Sequence, residues 1–381
     1  EARPDLQIAV AGCLAQKDRN VIQEKASHVD VVFGTHNVHR AAELLDQARH
    51  HGPVMEILEE TARDDAEAFP SALPSRREVD HRAWVTIQVG CDNACAFCIV
   101  PSVRGPEISR PFGDLITEAI KLSADGVSEV TLLGQNVNSY GRDLTTRLRR
   151  VAGGPADVHE AGFEWASDPR RRLRPLFADL LCAVGAVDGI HRVRFTSPHP
   201  KDLRPETIAA MADVPSVCEH LHLPLQSGSD RVLADMHRGY TADRYLERLN
   251  AARAGIKDLA VTTDLIVGFP GETERDFADT LEVVAEAGFD SAYSFIFSPR
   301  PGTEAAKRPR EFVKRSVSVE RFERLQQVLK RSAELTHRAR VGRIEEVLVE
   351  GPAKRGEEML TARTRQNKLV HLQARPDLRA G

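Results

Sequence analysis

The stretch Gly90-Cys91-Asp92-Asn93-Ala94-Cys95-Ala96-Phe97-Cys98 crowds three of the chain's six cysteines into eight positions. It follows directly on an apolar, strand-like run from Trp84 to Val89. Cysteine thiolates bind iron-sulfur clusters, and three in one loop can each take a different iron of a cubane, leaving one iron without a protein ligand. That iron can chelate a small molecule and pass it an electron. A structural zinc would want four protein ligands in a closed tetrahedron, and the nearest fourth, His81, lies upstream across a strand without the usual paired spacing. The cluster is therefore the expectation, with zinc and plain buried cysteines as the alternatives.

Working outward, strand-like runs lie near Trp84–Val89, Glu129–Leu133, Val193–Thr196, His220–Leu225, Val261–Val267 and Ser291–Phe297, with helical patterns between them. Six βα units in succession predict an α/β fold over residues 82–318, a parallel sheet either open or curled into a partial barrel. Ligands of such folds bind at the carboxyl ends of the strands. Gln135, Asn136, Ser197 and Gln226 place uncharged hydrogen-bonding groups there, as a zwitterionic amino acid and a ribose require, although each can equally cap a neighbouring helix. The run from Asp264 ends in Gly268-Phe269-Pro270-Gly271, where glycine lets backbone approach a flat ligand such as adenine or simply forms a tight turn. Phe97, between two cysteines, either packs on such a ring or shields the cluster.

Flanking segments read as appendages to this core. Residues 1–58 resemble part of an α/β domain: an apolar run Leu6–Ala11 ending in Gly12-Cys13, a helical stretch to about Ser27, a strand at Val31–Gly34 and a helix over Asn37–His50. That domain is expected to be a fragment, because its first strand has nothing before it to complete a sheet. Residues 59–81, acidic and then Pro-, Ser- and Arg-rich, are expected to be a linker. Residues 142–174, with Gly153-Gly154-Pro155 and Arg170-Arg171-Arg172, read as an inserted mobile loop, either gripping RNA or merely solvated. A long amphipathic helix over Val319–Arg340 connects, through residue 341, to a small β-domain over 342–381.

Composition sets limits on all of this. With 381 residues and 41% hydrophobic content the chain can bury a large core in two or three domains. No apolar stretch reaches the roughly 18 residues of a membrane helix and no signal-peptide pattern opens the chain, so a cytoplasmic protein without membrane contact is expected. The cysteines are too sparse for a secreted disulfide scaffold, and Cys182 and Cys218, in apolar settings, read as structural. The net charge of −4 hides an asymmetry: from Pro301 to Gly381 there are 19 Lys and Arg against 11 Asp and Glu. That basic segment suggests a polyanionic partner, or only a solvated helix face.

The spacing Cys-x3-Cys-x2-Cys on a loop after the first strand of a βα barrel resembles the radical S-adenosylmethionine (SAM) superfamily. The resemblance implies that the open iron of a 4Fe-4S cluster on Cys91, Cys95 and Cys98 binds SAM, whose reductive cleavage yields a 5'-deoxyadenosyl radical. It also assigns SAM contacts to Phe97, Gln135, Asn136, Ser197, Gln226, Asp264 and Gly268. Further runs resemble the tRNA methylthiotransferases of the MiaB group: Cys98–Pro111, Leu133–Tyr140, Phe195–Pro200, Leu223–Asp230, Asp264–Thr273 and Ser298–Thr303. They imply 2-methylthiolation of an N6-isopentenyladenosine beside the tRNA anticodon, one SAM giving the methyl group and another the radical. The partners implied are tRNA, a reducing electron donor protein and a sulfur source. No catalytic side chain is required beyond the cluster ligands. Sister groups acting on threonylcarbamoyl-adenosine in tRNA or on a ribosomal protein aspartate share the scaffold. The alternative of another class is a non-catalytic, metal-stabilised RNA-binding module.

Ala11–Gln16 resembles the segment carrying the third of three cysteines that hold an auxiliary 4Fe-4S cluster, which makes Cys13 a ligand whose companions have no counterpart in this chain. Gly342–Gly351 and Thr361–Arg365 resemble the start of a TRAM domain, a small RNA-binding β-barrel. Its basic groups are expected to face phosphates.

Overall fold

The computed structural model describes residues 6–57, 77, 79–150, 158–354 and 358–381. The chain falls into two compact units: a smaller one of Glu1–Arg76 with Val89–Asn93 and Ile99–Ile108, and a larger one containing the rest. Most of the expected linker lies outside the described residues.

The smaller unit is built on three parallel strands in the order β1 (Ala9–Ala11), β2 (Val31–Phe33), β3 (Val54–Glu56). The helical stretch after β1 is two pieces, α1 (Cys13–Asp18) and α2 (Asn20–Lys25), because Arg19 takes a left-handed φ of 45° that breaks the hydrogen-bond run. α3 (Ala41–His51) buries Leu44 and Ala48 against Val31 and Phe33 of β2. α4 (Val100–Arg104) packs on α1, and Thr35 Oγ1 donates to Val103 O at 2.6 Å.

The first expected strand is two, β4 (Arg82–Thr86) in the larger unit and β5 (Gln88–Val89), the latter paired with β6 (Ile108–Ser109). α5 (Phe112–Ala124) leads to β7 (Glu129–Leu133). The segment read as a mobile loop holds three helices among its described residues, α6 (Arg142–Arg150), α7 (Val158–Ala161) and α8 (Phe163–Ser167), and is irregular from 168 to 174. Its anchor is Trp165, wholly buried, whose Nε1 donates to Arg172 O at 2.8 Å. A fully buried indole with its donor satisfied is a core residue, and that explains why the glycines and arginines around it misled.

The pattern resumes with α9 (Phe177–Gly185), β8 (Arg192–Phe195), α10 (Pro205–Asp213), β9 (His220–His222), α11 (Asp230–Asp235), α12 (Ala242–Gly255), β10 (Ala260–Val267), α13 (Glu274–Ala287) and β11 (Ser291–Ile296). All pairings are parallel, in two three-stranded sheets ordered β4-β7-β8 and β11-β10-β9. Bridges at Val193/Val217 and Gln226/Leu265 help to continue the ladder into the partial barrel. Strand chemistry decides which face is which. In β10, Val261, Thr263, Leu265 and Val267 are buried in or beside the helix-side core, while Thr262, Asp264 and Ile266 alternate onto the other face. α13 starts with a Thr273/Asp276 capping box and stops at left-handed Gly288.

α14 (Arg315–Arg338) precedes a three-stranded antiparallel sheet, β12 (Val347–Pro352), β13 (Met359–Thr364) and β14 (Leu369–Gln373). This sheet docks on the amino-terminal ends of the barrel strands through charge. Arg192 donates to Arg363 O (2.8 Å) and pairs with Glu346, while Arg194 reaches Thr364 O (2.8 Å) and Arg365 O (2.9 Å) and pairs with Glu129. In return Arg365 pairs with Glu219 and Lys368 with Asp290, while within the sheet Arg363 pairs with Glu350, which also takes Arg82 of β4. Arg363, Arg365 and Lys368, among the basic groups expected to face phosphates, are thus matched within the protein. A count of charges along the sequence could not reveal these partners.

Candidate functional site

Gly90 enters the cysteine loop at φ 79°, and a Cβ there would collide with the backbone carbonyl of Pro106. Only glycine lets β5 pass so close before the chain turns into Cys91. Cys91 N donates to Gly105 O at 3.0 Å, and Asn93 Nδ2 approaches Cys91 Sγ at 3.4 Å. Further along, Cys98 N closes a turn onto Cys95 O at 3.0 Å, Ala96 N donates to Met236 O, and Ala96 O accepts from Ala305 N. His237, itself at φ 57°, places Nδ1 3.1 Å from Ala94 O. Arg238 Nη1 donates to Cys95 Sγ at 3.3 Å.

All three cysteines are half-buried and outside any disulfide. Three soft sulfurs with polar donors aimed at two of them fit a cluster, whose potential depends on such hydrogen bonds. Among the described residues no three His, Cys, Asp or Glu side chains converge as they would on a single ion. Thiolates serving different irons need no such convergence. His81 is buried near Ser128 and Glu129, whose amides donate to its carbonyl, at the opposite ends of the strands.

The other expected residues fall into three groups. Ser197 and Gln226, just past β8 and β9, hold left-handed backbones at φ 58° and 71°. Non-glycine residues in that region are uncommon and concentrate where function over-determines the backbone. Gln135 carries a buried Oε1 without a protein partner, an acceptor that the amino group of SAM would satisfy. These three fit the cofactor.

Asn136, by contrast, is spent on scaffolding: its Nδ2 donates to Asp202 Oδ2 at 2.8 Å and its Oδ1 accepts from His199 N at 3.1 Å. The same holds for most of Gln226-Ser-Gly-Ser-Asp230, where Ser227 and Gly228 bond to Thr280 and Ser229 to Asp276. Asp264 lies on the strand face turned from the helices, with Oδ2 3.4 Å from His222 Nε2. Gly268 has φ 74°, and a Cβ on it would strike Ser318 Oγ, so close packing on α14 explains the glycine. Phe97 packs in an apolar cluster with Val232, Met236 and Phe269.

Cys13 opens α1 at the carboxyl end of β1, and Arg104 Nε of α4 donates to its Sγ at 3.2 Å. The structure exposes Cys182 and buries Cys218, where the sequence suggested apolar settings for both. Residues missed by sequence reading are Arg104, Arg238, His199 and three aromatics. Burial, with Arg238 and Lys201 nearby, pushes the His199 imidazole down to about 2, so it stays neutral. Trp84, Tyr293 and Phe295 are 65%, 66% and 53% exposed on edge strands β4 and β11. Their alternation with less exposed neighbours along each strand was the available signal.

A three-cysteine loop at the carboxyl ends of a βα partial barrel is the arrangement of radical SAM enzymes, and the radical SAM superfamily model matches residues 85–284. Its cofactors are a 4Fe-4S cluster and SAM. The tRNA-2-methylthio-N(6)-dimethylallyladenosine synthase of Mycobacterium sp. (strain JLS) is 48% identical over 373 residues, covering 97% of this chain and 68% of that protein. The synthase of the same name from Parafrankia sp. (strain EAN1pec) is 49% identical over 375 residues, covering 98% and 69%. A solved radical SAM methyltransferase, TsrM from Kitasatospora setae, overlays with a TM-score of 0.41 at 13% identity over 58% of this chain and 38% of that one, too loosely to build on. The chain belongs to the tRNA-2-methylthio-N(6)-dimethylallyladenosine synthase family.

Proposed function

We propose that this chain is a cytoplasmic transferase that places a methylthio group on C2 of N6-dimethylallyladenosine in tRNA, drawing electrons from a reducing protein and sulfur from a separate source. What carries the reading is the Cys91/Cys95/Cys98 loop, set at the strand ends of a chain about half identical to named synthases along nearly all its length. A cluster on these three thiolates, with SAM, supplies the radical.

The chain's own residues bind and orient. Gln135 Oε1, Ser197 and Gln226 offer hydrogen bonds to the cofactor, and Phe97 closes the apolar side. Tyr293, Phe295 and Trp84 present exposed rings on which a nucleobase can stack. Cys13, with Arg104 donating to its sulfur, serves as one ligand of the auxiliary cluster. The smaller unit up to residue 58 acts as the methylthiotransferase domain, 82–318 as the radical domain, and 342–381 as an RNA-binding appendage.

The test is nucleoside mass spectrometry of tRNA from a strain lacking the gene, with and without complementation. The 2-methylthio derivative should vanish and return. Its persistence in the deletion strain, with loss of a methylthio-aspartate from a ribosomal protein instead, would transfer the assignment to the sister reaction. Anaerobic reconstitution should give about four irons and four sulfides per radical site. Zinc uptake without SAM cleavage would leave the RNA-binding module as the reading.

A further inference from the structure

Five arginines of the larger unit are buried: Arg110, Arg192, Arg194, Arg238 and Arg321. Four of them have a carboxylate partner, respectively Glu118, Glu346, Glu129 and Glu272. Arg238 does not. It is 5% exposed, and its guanidinium donates to Cys95 Sγ at 3.3 Å, to Pro224 O at 3.3 Å and, through Nε, to Tyr240 Oη at 3.1 Å. Its charge lies 5.5 Å from the Tyr240 ring centroid. Both Tyr240 and the Pro224 carbonyl are neutral, so the sulfur is the one partner among these able to carry negative charge.

A buried cation without an anion is costly, and the other four buried arginines described in this unit each have a carboxylate. We infer that Arg238 is a built-in counter-cation for the cluster on Cys91, Cys95 and Cys98, fixing the Cys95 ligand and raising the potential at which the cluster takes up its electron. The inference rests on reading that loop as the cluster site. Positive charge beside a cluster favours its more reduced, more negative state, and hydrogen bonds to the sulfurs act in the same direction. The guanidinium also ties Cys95 to Pro224, two residues before Gln226, so one side chain holds a cluster ligand and a cofactor-side loop in register. Arg238 is a positioning residue, since it acts through Cys95.

The test uses the full chain, reconstituted anaerobically, with iron and sulfide content measured and the midpoint potential read by EPR-monitored titration. Arg238→Met should load its cluster but show a lower midpoint potential than the wild type, and Arg238→Lys should recover most of the shift. A loaded Met variant with an unmoved potential overturns the inference. So does a loaded Lys variant lowered as far as Met, because charge would then not be the agent. If Arg238→Met does not fold, Arg238→Gln is compared with Arg238→Lys under the same criteria. A wild-type chain that takes up no cluster refutes the reading of the loop itself, whereas a loaded wild type with an insensitive potential refutes only the role of Arg238.

Discussion

The two ends of the barrel treat positive charge in opposite ways. At the amino-terminal ends of the strands, arginines and a lysine are matched with carboxylates at or across the dock with β12–β14. At the carboxyl ends, Arg238 is buried without a carboxylate and His199 is kept uncharged nearby. A fold that neutralises itself at one end and leaves cationic character at the other is arranged to receive negative charge there. Stability and chemistry are thus assigned to different ends of the same strands.

The largest effect that would test this division comes from the rim. Cys98→Ala should abolish cluster loading and SAM cleavage while leaving the melting curve of the metal-free chain nearly unchanged; retained SAM cleavage would dissolve the distinction. At the base, Arg194→Ala strands the buried Glu129 carboxylate and should cost about 3 kcal/mol in denaturant unfolding, with iron per folded chain unaltered. A loss of iron without a loss of stability would reverse the roles of the two ends.

A smaller effect follows from His199. Because its folded value lies far below that of a free imidazole, the unfolded chain gains a proton that the folded one refuses as the pH falls below about 6.5. Its contribution to stability is complete above that pH and is lost as the pH drops toward the folded value, at up to about 1.4 kcal/mol per pH unit. Urea unfolding at pH 7.5 and 5.5 should show that decline, and His199→Gln should flatten it. The smallest change belongs to Arg365, whose pair with Glu219 is partly solvated. Arg365→Ala should lower stability by about 1 kcal/mol or less and leave the KM for tRNA unchanged. A large rise in that KM would return this arginine to the RNA-facing role suggested by composition.

The sequence made the barrel readable because β-branched strands alternate with amphipathic helices, and all six expected strands stand within a few residues of where the alternation put them. The grouping of Cys91, Cys95 and Cys98 was readable for the same local reason: the three thiols lie within eight residues. What escaped is non-local. Arg238 lies in the turn after α11, Met236-His-Arg-Gly-Tyr240, with nothing in its neighbourhood to mark it as lying against a sulfur 143 positions earlier. The pairing of Arg365 with Glu219 spans 146 positions, so a charge count registered the arginine and missed its partner. In the 142–174 segment, glycine and arginine content outweighed the single buried Trp165 that organises it. The left-handed backbones of Ser197 and Gln226 escaped because neither residue type announces that conformation.

The dock at the base has a consequence for how this family can change. Arg192 and Arg194 grip the main-chain carbonyls of residues 363–365 rather than their side chains. A carbonyl is the same whatever amino acid bears it. Substitutions in that hairpin can therefore accumulate without loosening these grips of the barrel on it.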